Sequence, residues 1–423
     1  MRARLYCPWK GIDLHAAFVL PRFHPYRGGY ENSMLAIGRC LVSRGHRVSV
    51  FTTVADDLES LWVPGFKTFT AEEFVIDGVR VRRFPVCYRK WRRRATRVAG
   101  LVPNWRWKAR FWTPSFRVPG LDAALRDCDA EIFHIGPLPY NNLMYAGLRA
   151  AEHRRVPVVA TPCTHLGEAT NDEVARHYVG PHQVALLRHC NQVLCMTDVE
   201  REHLKQLGIA ADRLTTIGLG IDWQQATGGN ASRVLSRYGI DGPVVLHLGV
   251  KAYEKGSTTL VEAMKTLWAK GSRAWLVMAG PRMSRFDEYL ALQSEAMPRL
   301  VNLPAFADEE KRDLLAAATL VVQPSRVESL GLVLIEAWAN AKPVVAADIE
   351  VSRKLVEGCG GGVVTRFGDP VDLAGQMGRL LSDPQLCEEM GMRGQNAAQY
   401  YNGEVLWPRY AEVIERMAAE HPH

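Results

Sequence analysis

Short apolar runs bounded by turn formers alternate with longer stretches in which apolar positions recur every three or four residues. The first pattern reads as buried strands and the second as helices. Residues 16–20 are the first predicted strand, and residues 1–15 before it fit no element. Residues 31–44 are predicted helical, with Met34, Leu35, Ile37, Leu41 and Val42 on one face and Gly45 as the stop. A strand over 48–51 completes a strand–loop–helix–strand unit, and further strands are predicted over 131–135, 156–161 and 192–196. Repetition of such units predicts a parallel sheet with helices on both faces.

A second alternating series follows Gly218-Leu-Gly220-Ile-Asp222, which reads as a hinge. It contains predicted strands over 243–248, 274–279, 320–323 and 343–346, with helices over 258–269, 308–318 and 331–340. Helices over 370–381, 384–399 and 405–419 close the chain. At 423 residues and 47% hydrophobic content, two cores are expected. The expected domains are 1–222 and 223–400, both doubly wound and Rossmann-like.

Charge changes this picture at one place. The net charge is +7, yet thirteen Lys and Arg and no Asp or Glu fall between Arg80 and Arg117. The remainder has 39 basic and 45 acidic residues, a net of −6. Inside the basic stretch, Tyr88, Trp91, Ala95, Val98 and Val102 share one helical face, and Arg89, Lys90, Arg92, Arg93, Arg94 and Arg97 cover the rest. Trp105, Trp107, Phe111 and Trp112 follow, interleaved with Arg106, Lys108 and Arg110. A basic, aromatic, amphipathic segment from Tyr88 to Arg117 reads as a contact for an anionic membrane surface. An anionic glycan acceptor, nucleic acid or a plain solvated surface would also fit such a patch, but no nucleic-acid fold signature accompanies it and no nucleic acid is expected. Nine scattered cysteines without a Cys-x-x-Cys pair read as reduced thiols. There is no apolar run of ~20 residues and no signal-peptide pattern, so a cytoplasmic, peripherally membrane-associated protein is expected.

Candidate chemistry concentrates in four strings. In Pro324-Ser-Arg-Val-Glu328-Ser-Leu-Gly331-Leu-Val-Leu-Ile-Glu336, one glutamate lies on a strand-to-helix loop and the other in the first turns of the helix. That edge of an α/β sheet is where ligands bind, and a helix start presents free N–H groups suited to phosphate. Either glutamate alone is equally explained by the helix dipole. Arg27-Gly28-Gly29-Tyr30-Glu31 places two glycines before a helix, which permits close backbone approach to a ligand or simply makes a turn. His247-Leu-Gly249-Val250-Lys251-Ala-Tyr-Glu254-Lys255-Gly256 follows a predicted strand and offers two lysines, which could equally be solvated. Thr161-Pro-Cys-Thr164-His165-Leu-Gly167-Glu168 places a histidine after another strand, where a structural role is the plain alternative.

Together these strings resemble the family 4 retaining glycosyltransferases, which have the GT-B fold. The resemblance implies an α/β architecture of two Rossmann-like domains facing across a cleft, with the C-terminal helix, residues 401–423, crossing back to the first domain. It implies transfer of a sugar from a nucleotide diphosphate donor to a glycan or lipid-linked acceptor, as in polysaccharide assembly, with no cofactor beyond the donor and no metal. By resemblance, Gly28 and Gly29 contact the donor diphosphate, His165 and Glu328 face the donor sugar, and Lys255 neutralises the leaving diphosphate. Gly331, Leu332 and Val333 offer backbone N–H groups, and Glu336 accepts from the ribose hydroxyls. Two departures stand out. Val250 occupies the position where the family carries Arg, with Lys251 the candidate replacement, and Ser329-Leu330 replaces the commoner Gly-Phe. Asp127-Cys-Asp129 resembles the metal signature of the other glycosyltransferase fold, GT-A, but it sits at a helix-to-strand junction and reads as structural. The rival readings are a noncatalytic membrane-associated scaffold and a GT-B sugar-nucleotide epimerase. A nicotinamide dehydrogenase is disfavoured by the lack of Gly-x-Gly-x-x-Gly after the first strand. The donor base, the sugar and the linkage are not legible.

Overall fold

A computed structural model describes residues 14–421 except 26–27, 57–58, 89–103, 112–115, 168–172, 294–296 and 305. The chain forms two compact units. The first comprises residues up to Thr164, Arg176–Gly218 and residues from Leu406 onward; the second comprises His165–Ala175 and Leu219–Val405.

The sheet of the first unit runs β10-β9-β8-β7-β1-β2-β4-β3. Its strands are β1 (His15–Val19), β2 (Arg47–Thr53), β3 (Glu73–Ile76), β4 (Val79–Phe84), β7 (Ile132–Ile135), β8 (Val158–Ala160), β9 (Gln192–Cys195) and β10 (Leu214–Thr216). All neighbours are parallel except β3 and β4, which form a hairpin. The hairpin turns at Asp77-Gly78, both with positive φ (50° and 81°), the geometry that Asp-Gly favours between two strands. A separate two-stranded piece pairs β5 (Cys87–Tyr88) with β6 (Phe116–Arg117). Tyr88, expected on an amphipathic helix, is therefore in a strand, and its hydroxyl donates to the Ser60 carbonyl. The rest of the expected helix, including Trp91, Ala95, Val98 and Val102, lies outside the described residues.

The second unit has the order β13-β12-β11-β14-β15-β16, all parallel. Its strands are β11 (Val244–Leu248), β12 (Trp275–Ala279), β13 (Leu300–Leu303), β14 (Leu320–Gln323), β15 (Val344–Ala347) and β16 (Gly362–Thr365). This is the doubly wound order, whose topological switch point lies between the first and fourth strands, here β11 and β14. Those two strands are fully buried Val- and Leu-rich runs, as both faces of the sheet are covered.

Each unit has its own core. Phe133, Ile135, Leu143, Met144 and Leu186 pack in the first. Leu260, Met264, Met278, Phe286 and Val322 pack in the second. The helix Leu332–Ala339 is fixed by burial of Leu334, Ile335 and Trp338, whose indole N–H donates to the Gly361 carbonyl at 2.9 Å. The helix Gly403–Glu420 joins the first unit from Leu406 onward. There Tyr410 is buried with its hydroxyl 3.0 Å from His134 Nε2 and in contact with Thr161 Oγ1. Further along, the buried Glu415 accepts from Arg44 at 2.8 Å and from His46 Nε2 at 2.9 Å.

Candidate active site

The loops that leave β11 and β14 carry most of the expected site residues, and they are tied to each other. Gly256 has φ +69°, and a Cβ there would lie 2.1 Å from the Pro324 carbonyl oxygen. Only glycine permits this approach, which brings the segment 251–256 against 324–328. Arg326 N donates to the Glu254 carbonyl at 3.1 Å, and their side chains form an ion pair.

Lys255 and Glu328 meet at this junction. Lys255 Nζ donates to Glu328 Oε1 at 2.8 Å and to the Val327 carbonyl at 2.8 Å. Burial opposes the charge on Glu328. The adjacent Lys255 ammonium outweighs burial, with smaller help from His165 and Ser325, and holds the carboxyl below the ordinary glutamate range. His165 thus belongs with the second unit and acts electrostatically on Glu328.

Beneath the loop, His247 is fully buried. Its Nδ1 is 2.9 Å from the Val322 carbonyl, which can only accept, so Nδ1 carries the proton and Nε2 accepts from Ser257 Oγ at 3.1 Å. Burial pushes its pKa down to about 4, so it stays a neutral bridge between β11, β14 and the start of the helix Ser257–Ala269.

Gly331 adopts a left-handed conformation (φ +84°) and opens the helix Leu332–Ala339. The first intrahelical donor is Leu334 N, which reaches the Gly331 carbonyl at 2.9 Å. The N–H groups of Leu332 and Val333 precede it at the positive end of the helix dipole. One turn on, Glu336 forms an ion pair with Lys311, through its Oε1, and its backbone carbonyl accepts from Asn340 at 2.9 Å. Both side chains of the pair are about four-fifths covered (21% and 13% exposed).

Lys251 has another neighbourhood from the one the resemblance implies. Its backbone pairs with Arg282, and its buried Nζ donates to Asn302 Oδ1 at 2.7 Å and to the Leu303 carbonyl at 2.6 Å. Burial, followed by the nearby Arg282 charge, lowers its pKa to about 7. Its amine is engaged by Asn302 and Leu303 at β13.

In the first unit, Gly28 caps the helix Gly29–Ser43 in an extended conformation. Its carbonyl accepts from Asn32 N at 2.9 Å, and Glu31 is buried in an ion pair with Arg22 at 3.1 Å. The glycine pair therefore stands at a helix start after β1, whose neighbours β2 and β7 lie on opposite sides.

Asp129 is held by His15 Nδ1 at 2.6 Å and by Arg47 at 2.9 Å, tying together the entrances of β1, β2 and β7. Cys128 joins His15 and Asp129 with ligand-type atoms within 4.8 Å of one another. The Arg47 guanidinium on the same carboxylate favours a structural reading of that group.

Of the basic stretch, the described helix Trp105–Phe111 docks on the first unit itself. Trp105 packs on Tyr145 (6.0 Å) and His189 (4.5 Å), and Arg106 makes a two-pronged pair with Glu152 at 2.8 Å. Trp107 is 36% exposed. Among the described residues no helix is long and apolar enough to cross a membrane.

Sequence reasoning did not find Lys311, Arg326 or Gln323. Lys311 sits in a helix whose local pattern resembles any solvated helix, and only tertiary packing brings it to Glu336. Gln323 Nε2 lies 3.4 Å from Glu328 Oε1, at the last position of β14.

Comparison with known proteins places this geometry. Residues 237–397 match the family described as glycosyl transferases group 1, and residues 28–220 match the glycosyl transferase 4-like domain. The chain is similar to the alpha-D-kanosaminyltransferase of Streptomyces kanamyceticus, 33% identical over 56% of this chain and 61% of that protein. It is also similar to the D-inositol 3-phosphate glycosyltransferase of Xylanimonas cellulosilytica, 31% identical over 65% of this chain and 70% of that protein. Several of the curated relatives are matched over only about three-fifths of their own length (61%, 60% and 64%). The fold is shared with Anabaena HepE, solved in complex with UDP and glucose, at a TM-score of 0.68 and 20% identity over 95% of this chain and 100% of that one. Two doubly wound units, two glycosyltransferase domains in tandem and the Xylanimonas relative lead to one conclusion: the chain belongs to the group 1 glycosyltransferases, in the family 4 type with the GT-B fold.

Proposed function

We propose that the protein is a retaining glycosyltransferase that moves a sugar from a nucleoside diphosphate donor to a glycan or lipid-linked acceptor. The observation that carries this reading is the Lys255–Glu328 pair at the switch point of the second sheet, on the loop that leads into the helix Leu332–Ala339, which carries Glu336. The matched relatives bear glycosyltransferase names, and HepE was solved with UDP, which supports a donor of this class.

In this reading the leaving diphosphate lies against the N–H groups of Leu332 and Val333 and the Lys255 ammonium. A cation and a helix dipole fixed before reaction stabilise the developing charge without reorganising. Glu336 accepts from the ribose hydroxyls. Glu328, kept ionised by Lys255, faces the sugar together with His165. Gly28 and Gly29 stand at a helix start of the first unit, where backbone N–H groups suit a phosphate. Retention follows if the acceptor attacks the face that the leaving group vacates, and the departing phosphate takes the acceptor's proton. The stretch from Tyr88 to Arg117 supports placement at an anionic membrane surface, since each basic side chain near such a surface contributes ~1 kcal/mol.

Lys251 favours a second reading. With its ammonium bound to Asn302 and Leu303, and Val250 where the family has Arg, one expected cation is missing beside Lys255. A noncatalytic, donor-binding scaffold would tolerate that loss. Nucleotide release from a panel of nucleotide sugars, with a membrane lipid extract as acceptor source, separates the two. Release that disappears in Glu336→Ala supports transfer. Donor binding without release of nucleotide would sink it in favour of the scaffold.

A further inference from the structure

A buried carboxylate that no sequence motif singled out lies under the His165 loop. Glu200, on the helix Asp198–Gln206, is 1% exposed. Its Oε1 accepts from the Thr164 amide and the Thr164 hydroxyl, both at 2.6 Å, and its Oε2 accepts from the Met196 amide at 2.6 Å. Thr164 follows β8 and Met196 follows β9, so one side chain fastens the exits of two adjacent strands. Past the strand ends these amides have no ladder partner, and a buried amide without one is costly.

The backbone between the anchors is under strain. Cys163 has φ +48°, a left-handed conformation that residues other than glycine seldom adopt. Such a residue persists only when its surroundings over-determine it, and it is a pointer to function. On one side Thr161 is fixed by its N–H to the Ile135 carbonyl (3.0 Å) and by its hydroxyl contacts with His134 and Tyr410. On the other side Glu200 holds both the Thr164 amide and the Thr164 hydroxyl. His165 is the next residue.

We propose that Glu200 is a positioning residue for sugar transfer: by holding Thr164 it keeps the strained Cys163 turn closed and thereby aims His165. The proposal rests on the transferase reading above. A carboxylate is required because both of its oxygens face N–H donors; glutamine would set its own N–H against one of them.

The test compares the wild type, Glu200→Gln, His165→Ala and the double variant. The readouts are kcat and KM for the donor, together with hydrogen exchange across residues 161–167. Misplacing a reacting group by about 1 Å lowers rate on the order of 100-fold, so Glu200→Gln should lower kcat by about that factor with donor KM little changed. In the His165→Ala background the same substitution should have no further effect, because the two act through one group. Exchange at 161–167 should quicken while the rest of the protein is unchanged. A kcat loss that multiplies with that of His165→Ala, or unaltered exchange at 161–167, would overturn the proposal. Thr164→Val, which keeps the amide bond and loses the hydroxyl one, should give a smaller shift in the same direction, and it serves if Glu200→Gln does not fold. If the wild type transfers no sugar, the transferase reading fails, and the exchange measurement alone decides whether Glu200 holds the turn.

Discussion

Lys255 Nζ sits 2.8 Å from Glu328 Oε1, and the pair is mostly covered, with 23% and 12% of the two side chains exposed. Removing one partner of such a pair leaves a poorly solvated charge, at a cost of ~3–5 kcal/mol when burial is complete. Lys255→Met should therefore lower stability at pH 7 by an amount near the lower end of that range. The sign of its pH dependence follows from the depressed carboxyl. The stabilisation is fully present above the unfolded glutamate value of about 4.3 and fades as pH falls through the lower folded value. Denaturant titrations at pH 7 and at a pH below the unfolded glutamate value should show the gap between wild type and variant closing in acid. An equal midpoint at pH 7 would refute the coupling.

The proposed function has Glu336 accept hydrogen bonds from the donor ribose. Hydrogen bonds to a charged acceptor contribute ~1.5–3 kcal/mol each. Glu336→Gln keeps the shape and loses the charge, so it should weaken nucleoside diphosphate binding on the order of tenfold to a hundredfold. Titration calorimetry reads this directly, and an unchanged Kd would remove Glu336 from the site.

Lys251 should give the protein a distinctive alkaline behaviour. Its folded pKa of about 7 lies far below the unfolded lysine value of about 10.4, so the unfolded state binds more protons between them. Stability should rise with pH across that window. A neutral amine still has two N–H donors, which suffice for Asn302 and Leu303. Melting curves from pH 6.5 to 9 should rise more steeply for the wild type than for Lys251→Met. Parallel curves would contradict the buried amine.

Gly256→Ala is expected to be costly for two reasons. The left-handed backbone alone costs ~1–3 kcal/mol for a residue other than glycine. The added Cβ would also lie 2.1 Å from the Pro324 carbonyl, which cannot move without shifting β14. Loss of stability should come with weaker donor binding, because Lys255 is the preceding residue. A variant as stable as the wild type would show that the two loops do not approach so closely.

The basic stretch has a direct assay in liposome flotation. Binding should require anionic lipid and weaken as salt screens the charges. Arg106 is already paired with Glu152 and Trp105 is packed inward, so Trp107→Ala should weaken binding more than Trp105→Ala does in any folded variant. Flotation indifferent to both lipid charge and salt would end the membrane reading.

Legibility in the sequence followed the strength of the local pattern. The strand Leu320–Gln323 and the helix Ser257–Ala269 were plain, because buried parallel strands and amphipathic helices carry strong periodicities. The edge strands Leu300–Leu303 and Gly362–Thr365 were missed, being short and only half-buried. The hairpin β3–β4 was missed despite a readable signal, the Asp77-Gly78 turn between alternating positions. Glu328 and Glu336 were legible because their spacing spans one loop and one helical turn. The direction of Lys251 was not, since its partners Asn302 and Leu303 are brought to it only by tertiary packing. Lys311 and Glu200 were illegible for the same reason: Lys311 meets Glu336, and Glu200 meets Thr164, only through tertiary packing.

The helix Gly403–Glu420 has a consequence for the order in which the protein is made. The first unit needs Tyr410 for His134 and Thr161, and Glu415 for Arg44 and His46, yet these residues are synthesised only after the whole second unit. N-terminal domains generally fold first as the chain emerges. Here the nascent first unit must wait for the contacts that Tyr410 gives His134 and Glu415 gives His46 until residue 415 has left the ribosome. Chaperone dependence during synthesis should therefore fall on the half of the chain that is translated first.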